Sequence, residues 1–371
     1  MRCVVALGVL VAALAACKSE RALVGAATPA GGKLITLDAA DDPEGDTGWW
    51  PQVAFDANDR AHIAWCDAHH GDVRYATEAA SAPSGWDVRS LVSQGAVGKY
   101  IALDIDPAGR PGIAFYDQDK KYLRYAWQTA AGTWQDERVV WGHEAGMGGT
   151  LRFDASGTPH LFYYLAAGKL IHAMRTSAGE WKRDVLADAQ AIYSARISAA
   201  RRPDGLWVSY VDWRMKDAAL YLGHLTDAGF EKTLIADRAG PGWRSALVFL
   251  GPEPWLVHSA RLTEQTALTR RSTSGAWEPA LLIPKGSSFA AAPWGDRLVV
   301  AYQDMGDVRR GGTVNYTVSD AAGTGWTARL IDSDGPVGGY IAAAVSKAGR
   351  LLVPYYADSA RSLKLYDEVL R

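Results

Sequence analysis

One stretch of this chain returns at a regular interval, and that recurrence limits the fold more than any single motif. Ala54-Phe55-Asp56-Ala57-Asn58-Asp59-Arg60-Ala61-His62-Ile63-Ala64-Trp65-Cys66-Asp67 reappears as Leu103-Asp104-Ile105-Asp106-Pro107-Ala108-Gly109-Arg110-Pro111-Gly112-Ile113-Ala114-Phe115-Tyr116-Asp117. A third copy, Arg152 to Tyr164, lacks the final acid. Later copies end in Val208-Ser209-Tyr210-Val211-Asp212, Leu256-Val257-His258, Val300-Ala301-Tyr302-Gln303-Asp304 and Val353-Pro354-Tyr355-Tyr356. After most of them comes a second apolar stretch, such as Val73-Arg74-Tyr75-Ala76, and then a stretch led by tryptophan: Trp86 to Val92, Trp134 to Val140, Trp181 to Leu186, Trp277 to Ile283 and Trp326 to Ile331, with Phe230 replacing the indole once. Seven copies start near Trp50, Tyr100, Gly148, Tyr193, Trp243, Phe289 and Tyr340, about 48 residues apart. Four short strands in a unit of that length, separated by Gly, Asp, Asn or Pro turns, form a β-propeller blade. The second strand is apolar at successive positions, as expected of a strand covered on both faces by neighbouring blades.

The ends of the chain fit the same scheme. The last copy has three strands and no Trp-led fourth, while Lys33-Leu34-Ile35-Thr36-Leu37-Asp38 precedes the first copy and resembles Ala328-Arg329-Leu330-Ile331-Asp332. The N-terminal strand is therefore expected to complete the seventh blade and leave no open edge. The predicted fold is an all-β, seven-bladed propeller over residues 33–371. Composition agrees: of 371 residues, 15 are Trp, 16 Tyr and 38 Gly, which suits short strands and tight turns. Lys and Arg number 39 against 41 Asp and Glu, a net charge of −2, so no basic surface for nucleic acid is expected.

The first residues read as an address. Met1-Arg2 precedes an apolar run from Val4 to Ala16, too short to span a bilayer and shaped like a secretory signal. Leu14-Ala15-Ala16-Cys17 resembles the lipobox of bacterial lipoproteins. That resemblance implies a signal peptide over 1–16, lipid on Cys17, and residence in the cell envelope, with Lys18 after the cysteine pointing to the outer membrane. Residues 17–32, rich in Ala, Gly and Ser, read as the lipidated cysteine and a flexible tether. With Cys3 removed and Cys17 modified, Cys66 stands alone and has no internal disulfide partner.

In texture the blades resemble the sialidase-like, BNR-type bacterial propellers, which carry Asp-and-Gly turns and a Trp-led strand. The complete Asp-box of sialidases does not occur; Gly323-Thr324-Gly325-Trp326 is a fragment of its tail. The resemblance thus implies the fold and leaves sialidase activity without its motif.

Two repeated features map to the loop face around the central channel. The first is the aromatic starting each copy: Trp50, Tyr100, Tyr193, Trp243, Phe289 and Tyr340. The second is the acid ending strand two: Asp67, Asp117, Asp212 and Asp304, with Asp358 one place later. Aromatic faces beside carboxylates suit sugars, whose C–H faces stack on rings while acids accept hydroxyl hydrogen bonds. The same residues also suit a purely structural role, rings packing between blades and acids capping turns. Non-repeated side chains on that face are His69-His70, Lys120-Lys121, Trp213-Arg214, Arg261, Arg309-Arg310 and Arg361. Cys66-Asp67-Ala68-His69-His70 has metal-ligand types, but neighbours on a strand point to opposite sides, so no metal is expected there; neither is any cofactor. The third copy keeps neither feature: it has Gly146-Met147-Gly148-Gly149 and Leu165, and the fifth has Ala260 in place of the acid. An open notch is therefore expected at the third blade, walled by Tyr100 and Tyr193, with Asp117, Asp212 and Arg214 in reach. The expected function is a monomeric, lipid-anchored envelope protein that binds a glycan or partner protein on its loop face. A sialidase-like glycoside hydrolase and a structural envelope component are the alternatives.

Overall fold

The computed structural model describes residues 22–23, 27–39, 44–140, 145–190, 196–213, 218–236, 241–260, 265–272, 275–284, 286–306 and 312–371. Cys17 and the signal segment lie outside these residues, as do Tyr193, Arg214, Arg261, Arg309 and Arg310. Seven antiparallel sheets follow one another around a ring. Blade 1 comprises Thr47–Phe55, Ala61–Asp67, Asp72–Glu78 and Trp86–Val92; blade 2 comprises Lys99–Ile105, Pro111–Asp117, Tyr122–Gln128 and Trp134–Arg138. Blades 3 to 6 repeat the order, with first strands Ala145–Phe153, Ser198–Arg202, Pro241–Leu250 and Gly286–Trp294. Blade 7 takes Ala344–Val345, Arg350–Ala357 and Ser362–Val369 from the C-terminal end and Lys33–Asp38 from the N-terminal end. Lys33 pairs with Asp367 and Ile35 with Leu365, so the ring closes as the sequence predicts.

The second strands explain why the blades stack. Every residue of Ala61–Asp67 and of Pro111–Asp117 is buried. Side chains alternate along the strand, so Ile63 and Trp65 join the apolar seam with blade 7 while Ala64 and Cys66 join the seam with blade 2. Seven such clusters among the described residues correspond to the seven seams. The leading aromatic of each fourth strand packs against the preceding blade: Trp86 on blade 7, Trp134 on blade 1, Trp181 on blade 2, Phe230 on blade 3, Trp277 on blade 4 and Trp326 on blade 5. In blade 7 Gly32 takes that place. A Cβ there would lie 2.6 Å from the Tyr366 ring, and the Gly32 N–H donates to the Tyr366 hydroxyl at 2.9 Å. Burial of each large side chain is worth roughly 1.5–3 kcal/mol, so the seams hold most of the fold's stability.

The repeated aspartate after strand one is a turn cap. Asp56 Oδ1 accepts the N–H groups of Asn58 and Arg60, and Asp106 Oδ1 those of Ala108 and Arg110. Asp38 pins the closing strand to blade 1, accepting from Thr47 Oγ1 at 2.7 Å, Trp65 Nε1 at 2.8 Å and Arg74 Nη2 at 3.0 Å.

The stretch read as a flexible tether differs from that expectation along its described part. Ala22–Leu23 pairs in parallel with the outer strand of blade 5, and Thr28–Pro29 with that of blade 6. Open outer edges offer unpaired backbone groups, and an Ala- and Thr-containing segment satisfies them as well as water does.

Candidate functional site

The first strand of each blade lines the central channel, a cavity of about 540 Å³. Strand pairing fixes which residues are equivalent there. Gln52, Ala102, Thr150, Ser198, Ala246 and Ala290 face Ala64, Ala114, Phe162, Ser209, Val257 and Ala301 on the second strands. In blade 7 the Ala342 N–H bonds the Pro354 carbonyl in the same place. Two residues before each of these stand Trp50, Tyr100, Gly148, Arg196, Arg244, Ser288 and Tyr340. These seven positions form the rim of the channel on the loop face.

Three neighbouring blades supply rings. Trp50 lies 5.1 Å from Tyr340 and 5.5 Å from Tyr100 between centroids, and Trp49 backs them at 5.4 Å from Tyr340. Trp49 is fixed in turn: its Nε1 and the Tyr356 hydroxyl both donate to Asp46 Oδ1, at 2.8 and 2.7 Å. Trp50 is buried, whereas Tyr100 and Tyr340 are half-buried. Burial, opposed by the nearby arginine charges, raises the Tyr340 phenol above its ordinary range, so it is a neutral donor here.

The backbone beneath the rings is strained. Trp50 and Tyr100 have φ of 50° and 55°, and Gly148, at the equivalent place, has 63°. The bulges in the first strands of blades 1, 2 and 3 impose this left-handed conformation, visible as register shifts after Trp49, Lys99 and Met147. For a bulky residue it costs about 1–3 kcal/mol, a type of strain that clusters at functional sites. Two residues earlier, Gly48, Gly98, Gly146 and Gly338 meet the preceding blade; a Cβ on Gly98 would sit 3.1 Å from Cys66 Sγ.

The other side of the rim is cationic. Arg196 and Arg244 are joined by a backbone bridge, line the channel and are half-buried. Arg244 Nη1 donates to Ser288 Oγ at 2.9 Å, and its guanidinium carbon lies 5.9 Å from the Tyr340 ring centroid. Burial, then repulsion from Arg244, pulls Arg196 down to about 9; burial lowers Arg244 as well. Asp104, deeper in the channel wall, accepts the Phe153 N–H at 2.8 Å, and burial raises its carboxyl above the ordinary range.

The acids singled out in the sequence accept backbone N–H groups, three of them within their own turns and Asp212 from the loop before its blade. Asp67 Oδ1 accepts from the backbone of His69 and His70 at 3.1 and 3.0 Å, and its Oδ2 meets His70 Nδ1. Asp117 caps Lys120 and meets Arg124 Nη1 at 3.3 Å. Asp212 accepts the Gln190 N–H, and Asp304 the Gly306 N–H. Asp67, Asp117 and Asp212 are buried. Phe289 is buried in the seam between blades 5 and 6. Trp243 occupies the backbone position of Trp49, one residue before the rim. Cys66 faces the seam with blade 2, where burial pushes its thiol up.

The arginines on the rim were not among the residues the repeat singled out. The signal for one of them is nevertheless present: Gly-x-X recurs as Gly48-Trp49-Trp50, Gly98-Lys99-Tyr100, Gly242-Trp243-Arg244, Gly286-Ser287-Ser288 and Gly338-Gly339-Tyr340. A larger depression of about 1210 Å³ lies between blades 6 and 7 on the opposite face, bordered by Tyr316, Trp326 and Glu368, and contains none of the rim residues.

No protein-family model and no curated protein matches the chain. Many solved structures match the chain. An Aleuria aurantia lectin mutant in complex with Fucalpha1-6GlcNAc superposes with a TM-score of 0.50 at 15% identity, covering 72% of this chain and 90% of that one. SapL1 lectin in complex with alpha methyl fucoside gives 0.52 at 12% identity, covering 77% and 97%. A puromycin hydrolase mutant complexed with PGG gives 0.53 at 15%, covering 91% of this chain and 54% of the other. At these identities the likeness concerns the fold.

Proposed function

We propose that this propeller binds carbohydrate at the channel rim on its loop face, and that lipid on Cys17 holds it at a bacterial envelope membrane. One observation carries the binding reading: the shelf of Tyr340, Trp50 and Tyr100, two of whose three rings sit on strained left-handed backbone at equivalent positions. Such strain persists only where the surrounding structure enforces it. Here it sets Trp50, itself buried, in the wall of a polar-lined cavity between Tyr340 and Tyr100, and a ring cluster of this kind suits sugar recognition. The lectin names among the structural neighbours lend support, since those propellers are described in complex with a fucosylated disaccharide and a fucoside. Among the described residues the cavity lining contains one acid, Asp104.

The test is a glycan-binding screen of the full-length protein in detergent, with Tyr100→Ala as the comparison. Loss of one stacking ring is expected to weaken binding about three- to tenfold, with the melting temperature nearly unchanged. Retention of no glycan by the wild type, or unchanged binding by the variant, overturns the reading.

A further inference from the structure

Arg196 and Arg244 stand side by side on one wall, and among the described residues neither meets a carboxylate. The acid lining the same cavity, Asp104, bonds the Phe153 amide and feels Arg152 and Arg201 instead. The groups that bear on Arg196 are Arg244, Tyr340 and Tyr100; on Arg244 it is Tyr340, with Ser288 accepting one hydrogen bond. Two partly buried guanidinium groups that repel each other are costly to keep in a folded protein, and an anion between them removes that cost. The rim position beside Arg196 lacks a side chain. Gly148, the neighbour of Arg196 around the ring, has no side chain, and its carbonyl is occupied by the Ile197 N–H at 2.9 Å. At this rim position no side chain of its own separates Tyr100 from Arg196, although the Gly148 backbone is buried.

We propose that Arg196 and Arg244 form the seat for a carboxylate of the ligand, so that the protein takes an acidic glycan whose ring rests on the Tyr340–Trp50 side of the rim. The proposal rests on the reading of the rim as a glycan site. The planar guanidinium fork matches a carboxylate in two-point contact, and Ser288 and Tyr340 hold Arg244 in place for it. Arg196 is the less restrained of the two and closes on the anion from the blade 4 side.

Isothermal titration of the full-length protein in detergent with a glucuronate-terminated oligosaccharide, its neutral methyl ester and free acetate tests this. The wild type is expected to prefer the acid over the ester by about 10- to 100-fold, and to lose that preference in high salt. Arg196→Gln and Arg244→Gln should each erase the preference while leaving ester affinity in place. Without ligand, both variants should melt at or above the wild-type temperature, because each removes one of two repelling charges; a purely structural arginine would instead leave a less stable fold. Equal binding of acid and ester by the wild type overturns the carboxylate seat and leaves the glycan reading standing. Persistence of the preference in both variants also overturns it. Acetate that stabilises only the wild type, with no glycan bound, upholds the seat and overturns the glycan reading, and binding of none of the three overturns both.

Discussion

His62, His160, His172 and His258 are buried imidazoles on second and third strands, each facing a neutral or weakly compensating partner. His62 Nδ1 meets the Tyr75 hydroxyl, with Asp56 3.7 Å from Nε2; His160 Nδ1 meets His172 Nε2 at 2.8 Å, with Asp154 3.4 Å from the other ring nitrogen. Burial outweighs these carboxylates and lowers all four, His62 and His172 to about 4, with His160 adding to the effect on His172. A second proton on the His160–His172 pair would set N–H against N–H. Because the folded pKa values lie below the unfolded one near 6.5, the unfolded chain binds more protons between them. Stability is thus expected to be flat above about pH 6.5 and to fall steadily toward pH 4, by roughly 3 kcal/mol for each of His62 and His172. Denaturant midpoints at pH 7, 5.5 and 4.5 measure it; a pH-independent midpoint contradicts it, and His172→Gln should flatten the slope. At this scale the sequence was readable for turn aspartates such as Asp56 and for the rings Trp50, Tyr100 and Tyr340. It was less readable for Arg244. Successive residues of a strand point to opposite sides, and a bulge shifts the count by one, so the Gly-x-X spacing had to be read together with the pairing to place Arg244, and not Trp243, on the rim.

The strands themselves were legible almost to the residue, because the Trp-led fourth strand and the doubly buried second strand have distinct patterns tied to distinct packing. Blade 4 was the exception at its start: its first strand, Ser198–Arg202, begins five residues after Tyr193, and Arg196 takes the rim position. There the apolar pattern is too short to reveal the register, which the pairing of Ser198 with Ser209 sets. Within the segment 17–32 the pairing of Ala22–Leu23 and Thr28–Pro29 is hidden from the sequence for a different reason: composition signals flexibility, but edge pairing depends on backbone groups that composition does not describe. The closing element gives the clearest test. Asp38→Ala removes the acceptor shared by Thr47, Trp65 and Arg74 and leaves a partly buried arginine uncompensated, so a loss of about 3 kcal/mol is expected. Deleting residues 33–38 goes further and exposes the edge of Ser362–Val369, so concentration-dependent association should appear in sedimentation. A monomeric deletion variant of unchanged stability would show that the last blade does not need its fourth strand.

For the whole molecule, the proposed lipid on Cys17 and the docked segment at Ala22–Leu23 constrain orientation together. Five residues of chain reach at most about 17 Å, so an acylated cysteine would hold the blade 5 edge close to the bilayer and leave the channel rim open to the side. Cys17→Ser should therefore move the protein from the membrane to the soluble fraction with its glycan binding intact. Membrane retention of that variant would remove the anchor from the account. The shared composition of blade 7 also has a temporal side. Its outer strand lies more than 300 residues ahead of its partner, Ser362–Val369, and a ribosome needs roughly 15 to 65 s to make that much chain. Throughout that interval Lys33–Asp38 has no mate. Biogenesis of this ring is thus a problem of custody: whatever escorts the emerging chain has to shield Ile35 and Leu37 until the final hairpin arrives.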